Sequence, residues 1–115
     1  MVLCPTADRL GAIDAALWGA EAWLPHNSAP DEDPDLQPIW LTTEDAPAPN
    51  GARFLFLVGG AESARCEAFA RVFDLFDGQD PAATEAARRR WTAARAAGHK
   101  LTYWRQTARG WQQGP

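Results

Sequence analysis

Residues 53–58, RFLFLV, carry the longest uninterrupted apolar run in the chain, Phe54 to Val58, and Gly59–Gly60 ends it at once. A strand with one face in water alternates apolar and polar residues. A run that is apolar at every position instead predicts a central strand covered on both faces. The run is also far shorter than the ~20 residues that span a bilayer. Both faces of such a strand need a covering layer, so the fold is constrained to a sheet between other elements.

The flanking sequence supplies those elements. Val2 to Cys4 is a short apolar run, followed by Thr6 as a helix N-cap and by Leu10, Ile13 and Leu17 at helical spacing up to Gly19. Residues 27–38, NSAPDEDPDLQP, hold three prolines and four acidic residues and read as a solvated loop; residues 45–51, DAPAPNG, read as a second flexible loop. Between them, Ile39 to Thr42 is a strand candidate. Residues 62–70 read as helical and VFDLF at 72–76 as another strand. Residues 81–97 form a helix with Asp80 as N-cap, Pro81 at N1 and Gly98 as the stop. The tail LTYWRQTARGWQQ reads as a hairpin, with ARG supplying the turn and Trp104 and Trp111 able to face one another. The predicted architecture is a single α/β domain over residues 1–115, with a mostly parallel sheet between helices and a C-terminal hairpin.

Composition narrows the function. The chain has 115 residues and a formal net charge of −4, which argues against a general nucleic-acid binder and confines any basic site to a local patch. The start, MVLCPTADR, lacks the pattern of a signal peptide, so a cytoplasmic location with free thiols at Cys4 and Cys66 is expected. The two cysteines and two histidines form no metal-site spacing, and neither a metal nor a cofactor is expected.

Catalytic patterns are missing. LVGGAE follows a strand, yet it matches neither GxGxxG nor the Walker pattern and reads as a plain turn. His26, in WLPHN, has no Ser or Cys motif beside it and reads as part of a turn. Asp74 and Asp77, three apart on a strand, point to opposite faces and make no acid–base pair.

The helix at 81–97 carries the distinctive chemistry. Thr84, Arg88, Trp91 and Arg95 recur at spacings of four, three and four and so share one stripe, with Thr92 alongside. Ala83, Ala86, Ala87, Ala94 and Ala97 occupy other faces, where small side chains pack on a sheet. The stripe is read three ways: a solvated face on which arginine stems cover Trp91, a site for single-stranded nucleic acid, or a grip on an acidic peptide ending in an aromatic residue and a free carboxylate.

IDAALW at 13–18, WLPHN at 23–27, VFDLFDG at 72–78 and RRRWTAARAAGHKLTYW at 88–104 together resemble the chi subunit family of bacterial DNA polymerase III. The resemblance runs across essentially the whole chain. It implies a non-catalytic accessory subunit of the clamp-loader complex, associated with the replisome and nucleoid, that binds the acidic C-terminal tail of single-stranded DNA-binding protein. It further implies a psi subunit and an XPD-like repair helicase as partners, DNA contact only through partners, and no membrane. Carried over by motif, Trp18 and Trp23 correspond to aromatic walls of the tail pocket, Phe76 to its apolar floor, and Arg88 to the carboxylate partner. Trp91 takes an aromatic position on the same helix, with Arg95 as a supporting cation. Thr84 and Thr92 stand where well-known members carry lysines, which leaves Arg89 or Arg95 to compensate. Members also have a strand and helix ahead of the segment matching VLCPTADR; without that unit, exposed apolar surface and a bare sheet edge are expected.

Overall fold

The structure, a computed structural model, describes residues 1–20, 25–28 and 34–114. Its elements are β1 (Val2–Leu3), α1 (Ala7–Trp18), β2 (His26–Asn27), β3 (Ile39–Thr42), β4 (Phe54–Val58), β5 (Arg71–Leu75), α2 (Pro81–Ala96), β6 (Trp104–Thr107) and β7 (Gly110–Gln113). Strands one to five form a wholly parallel sheet in the order β2-β3-β1-β4-β5, and β6 and β7 form a separate antiparallel hairpin. The chain is therefore α/β with a C-terminal hairpin.

Register assigns the two faces. Leu3 lies opposite Leu57 and Thr42, and Leu57 opposite Asp74, so Leu3, Trp40, Leu55, Leu57, Val72 and Asp74 share one face. On that face Met1, Leu3, Trp40, Leu55 and Leu57 pack with Ala61 into the core, and Ala48, Ala52, Cys66 and Phe69 close over them from the loops. The other face carries His26, Leu41, Val2, Phe56 and Phe73. Helix α1 covers its β2–β3 side, where His26 Nε2 meets Asp14 Oδ1 at 2.8 Å. Helix α2 lies on the core face at β5, tied there by Arg90 and Asp74. The helices thus flank the sheet from opposite sides.

Local chemistry fixes the helix ends. Thr6 Oγ1 accepts from the Arg9 amide to open α1, and Asp80 Oδ1 accepts from Ala82 and Ala83 to open α2 with Pro81 at N1. The last turn of α2 closes by a Schellman arrangement: the Gly98 amide donates to Arg95 O and the His99 amide to Ala94 O. Gly98 takes φ 91°, a conformation that costs a side-chain-bearing residue.

Several sequence expectations need correction. Residues 62–70 do not form a helix: only Cys66–Ala68 makes a 3₁₀ turn. Asp45 captures the donors a helix start would need, accepting from Ser63 Oγ at 2.6 Å and the Ala64 amide at 2.8 Å. Beyond the turn, the Ala70 amide joins Arg53 O and pulls the chain into β5. β4 is central, but only Leu55 and Leu57 are sealed; on its other face Phe54 is 49% exposed. Helix α1 stops short of this half of the sheet, so Phe54, Phe73 and Leu75 face outward. His26 forms a two-residue edge strand rather than a turn, buried against Asp14 and the Trp18 ring. The hairpin forms as expected, with Trp104 paired to Gln113 and Trp111 to Gln106, so the tryptophans are diagonal neighbours on one face.

Candidate functional site

The basic stripe of α2 is presented as its spacing predicts. Ala87 is buried, while Ala83, Ala86, Ala94 and Arg90 are half-buried, so positions 83, 87, 90 and 94 turn inward. Arg88, Trp91 and Arg95 lie along the outward flank of that strip. Trp91 is 38% exposed. Among the described residues the Arg88 guanidinium has only a loose ionic contact, 3.9 Å to Glu85, with both side chains largely in water. An exposed pair of that length contributes little and leaves the fork of donors open to another anion. Thr84 and Thr92 are turned to local backbone acceptors: Thr84 Oγ1 donates to Gly78 O at 3.4 Å and Thr92 Oγ1 to Arg88 O at 3.1 Å. Phe76, half-buried, leads the chain out of β5 toward the start of α2.

The three consecutive arginines have different jobs. Arg89 and Arg88 are exposed, but Arg90 is committed to the fold. Its Nε donates to Asp74 Oδ2 at 2.7 Å and its Nη2 to Asp74 Oδ1 at 3.0 Å, the bidentate geometry that suits a guanidinium to a carboxylate. Those hydrogen bonds raise the Arg90 pKa above its ordinary value. Sequence reading missed this pair, although a signal was present: Asp74 interrupts the apolar VFDLF strand, and Arg90 lies three residues beyond Ala87 on the inward strip.

Trp18 is not gathered with these residues. Its ring lies 4.4 Å from that of His26, on the α1 side of β2. β2 and β5 are opposite edges of the sheet, four strand spacings or about 19 Å apart. Trp18 instead lines an open groove with Asp14, His26, Leu36 and Pro38. Trp23 lies outside the described residues.

Cys4 and Cys66 are both unbridged, and burial raises the pKa of each above its ordinary value, which leaves less thiolate at neutral pH. Among the described residues, no group of three or more His, Cys, Asp or Glu side chains is placed to hold a metal ion. No helix among them is long and apolar enough to cross a membrane. Along α2 the exposed cations Arg88 and Arg95 flank the partly exposed Trp91.

Comparison with curated proteins gives no match. The family model described as DNA polymerase III chi subunit, HolC, matches residues 1–102, which takes in the parallel sheet and both helices and stops just before the hairpin. With that match over most of its 115 residues, the chain belongs to the DNA polymerase III chi subunit family, whose role is that of an accessory subunit of the polymerase.

Proposed function

We propose that this chain is a non-catalytic adaptor that grips the acidic C-terminal tail of single-stranded DNA-binding protein through Arg88, linking the polymerase assembly to protein-coated DNA. The observation that carries this reading is the division of labour on α2: Arg90 is bound to Asp74, whereas Arg88 is exposed and only loosely paired beside the ring of Trp91. In this reading Arg88 receives the terminal carboxylate of the tail, with Arg95 as a second cation. Phe76 and Trp91 supply the apolar contacts for the tail's final ring. Trp18, at the far edge of the sheet, stands apart from this site. The psi subunit and an XPD-like helicase are further partners in the same reading.

The test is fluorescence anisotropy with a labelled acidic peptide ending in an aromatic residue. Charge-assisted contacts contribute about 1.5 to 3 kcal/mol, and exposure of Arg88 places this one at the lower end. Arg88→Ala is expected to weaken binding roughly 10-fold. Amidation of the peptide's C-terminus reproduces most of that loss, and Trp18→Ala leaves affinity unchanged. Equal affinity for wild type and Arg88→Ala rules the site out.

A further inference from the structure

The C-terminal hairpin lies beyond the family match, and it is built in a way that the adaptor role does not use. Its turn is held tightly: Thr107 Oγ1 donates to Gly110 O at 2.9 Å and accepts from the Arg109 amide at 3.2 Å. Gly110 takes φ 104°, which suits glycine at the end of this two-residue loop. At the open end the Gly114 amide donates to Tyr103 O at 2.7 Å, and the Tyr103 ring fills the space that a side chain on Gly114 would need. The ribbon is therefore pinned at both ends.

One face of this ribbon presents Trp104, Gln106, Trp111 and Gln113. The two indoles are 50% and 58% exposed, far more than tryptophans that serve a core. Diagonal neighbours on a two-stranded ribbon lie about 7 to 8 Å apart. That is close to twice the ~3.4 Å rise of stacked nucleotides, the gap that admits one base between two rings. The flanking glutamines bring amide donors and acceptors to the edges of such a base.

Charge points the same way. Residues 86–115 contain seven basic side chains and no acidic one, although the whole chain is acidic. Arg109 sits in the turn two residues before Trp111, Lys100 precedes the ribbon by four residues, and Arg105, paired with Gln112, lies on the face opposite the indoles; among the described residues none of the three is in an ion pair. We propose that the hairpin is a stacking platform for single-stranded nucleic acid, with bases against Trp104 and Trp111, phosphates against Lys100 and Arg109, and Arg105 adding to the local positive field from the other face. Paired flat rings beside unpaired cations suit a strand with a repeating base and phosphate better than a peptide tail with one ring and one terminus. The proposal is independent of the tail-binding role of Arg88.

The experiment is anisotropy of a labelled oligothymidylate of about 12 nucleotides with the whole protein, over a range of salt. Saturable binding is expected, weakening about 5- to 150-fold on Trp104→Ala or Trp111→Ala. Two phosphate contacts give a log–log salt slope of about −1.4, and Lys100→Gln/Arg109→Gln makes it shallower with both rings intact. Unchanged affinity in the double tryptophan variant, verified as folded by circular dichroism, overturns the platform. So does tight binding of an acidic peptide that falls in step with loss of the two tryptophans, which assigns the hairpin to a peptide instead.

Discussion

Replacing Arg90 by alanine separates the arginine tied into the fold from the one proposed to bind. The Arg90–Asp74 pair is bidentate at 2.7 and 3.0 Å, with the two side chains 13% and 32% exposed. Removing one partner of a fully buried pair costs about 3 to 5 kcal/mol, and hydrogen bonds to charged groups contribute about 1.5 to 3. Because Asp74 is one-third solvated, water recovers part of the loss, and about 2 kcal/mol is the expected cost. For a chain of this length 1 kcal/mol moves Tm by about 4 °C, so Arg90→Ala should lower it by roughly 8 °C. Arg88→Ala, which breaks only the 3.9 Å exposed contact, should shift it by less than about 2 °C. Thermal melts of both variants, followed by a double-mutant cycle with Asp74→Ala, measure the difference. The cycle should return a coupling of about 1 to 2 kcal/mol between residues 74 and 90. Equal Tm losses for the two arginines, or a coupling near zero, refute the assignment of Arg90 to the fold.

Two further outcomes follow from particular contacts. The Ser63 hydroxyl and Ala64 amide hold the Asp45 carboxyl below its ordinary pKa, so its stabilising effect is present above the unfolded value of about 3.9 and is lost as pH falls through the lowered folded value. In a carboxyl NMR titration Ser63→Ala should move the Asp45 midpoint upward, and an unmoved midpoint refutes the cause. The outward apolar strip of Phe54, Phe73 and Leu75 at the β5 edge should promote self-association; sedimentation velocity should show species growing with concentration in wild type and not in Phe73→Lys, and concentration-independent wild-type behaviour contradicts this.

What was legible in the sequence is what local chemistry decides. Helix α2 announced itself through Asp80–Pro81 and Gly98, and the caps form as those residues require. The outward stripe followed from spacing alone. Contacts between distant segments were harder to see. Residues 62–70 have helical composition, yet Asp45, eighteen residues before Ser63, takes over their donors. His26 became a strand because β3 offers it a parallel partner at Ile39 and α1 brings Asp14 to its ring. Trp18 shares a short segment with that histidine, and sheet order then carries both away from β5. An apolar run such as FLFLV declares a strand, but not how far a helix reaches across it; Phe54 stays half in water because α1 covers only the β2–β3 side.

Net charge illustrates the same limit. A value of −4 argues against nucleic-acid binding only if charge is spread evenly, and here it is not. The first 85 residues carry eleven more acidic than basic side chains, whereas the last 30 carry seven basic and none acidic. At physiological ionic strength charges farther apart than about 8 Å are largely screened from one another. Asp14 and Asp35 belong to elements at the β2 side, about 19 Å of sheet away from the β5 edge beside α2, so they do little to neutralise the field near Arg88. Of the seven cations, only Arg90 is consumed by a close carboxylate among the described residues, and Glu85 touches Arg88 loosely. The remaining positive charge is what the proposed acidic tail or phosphate backbone would meet. A protein with an acidic isoelectric point thus keeps an anion-seeking surface, because screening makes each partner sample the local charge rather than the total.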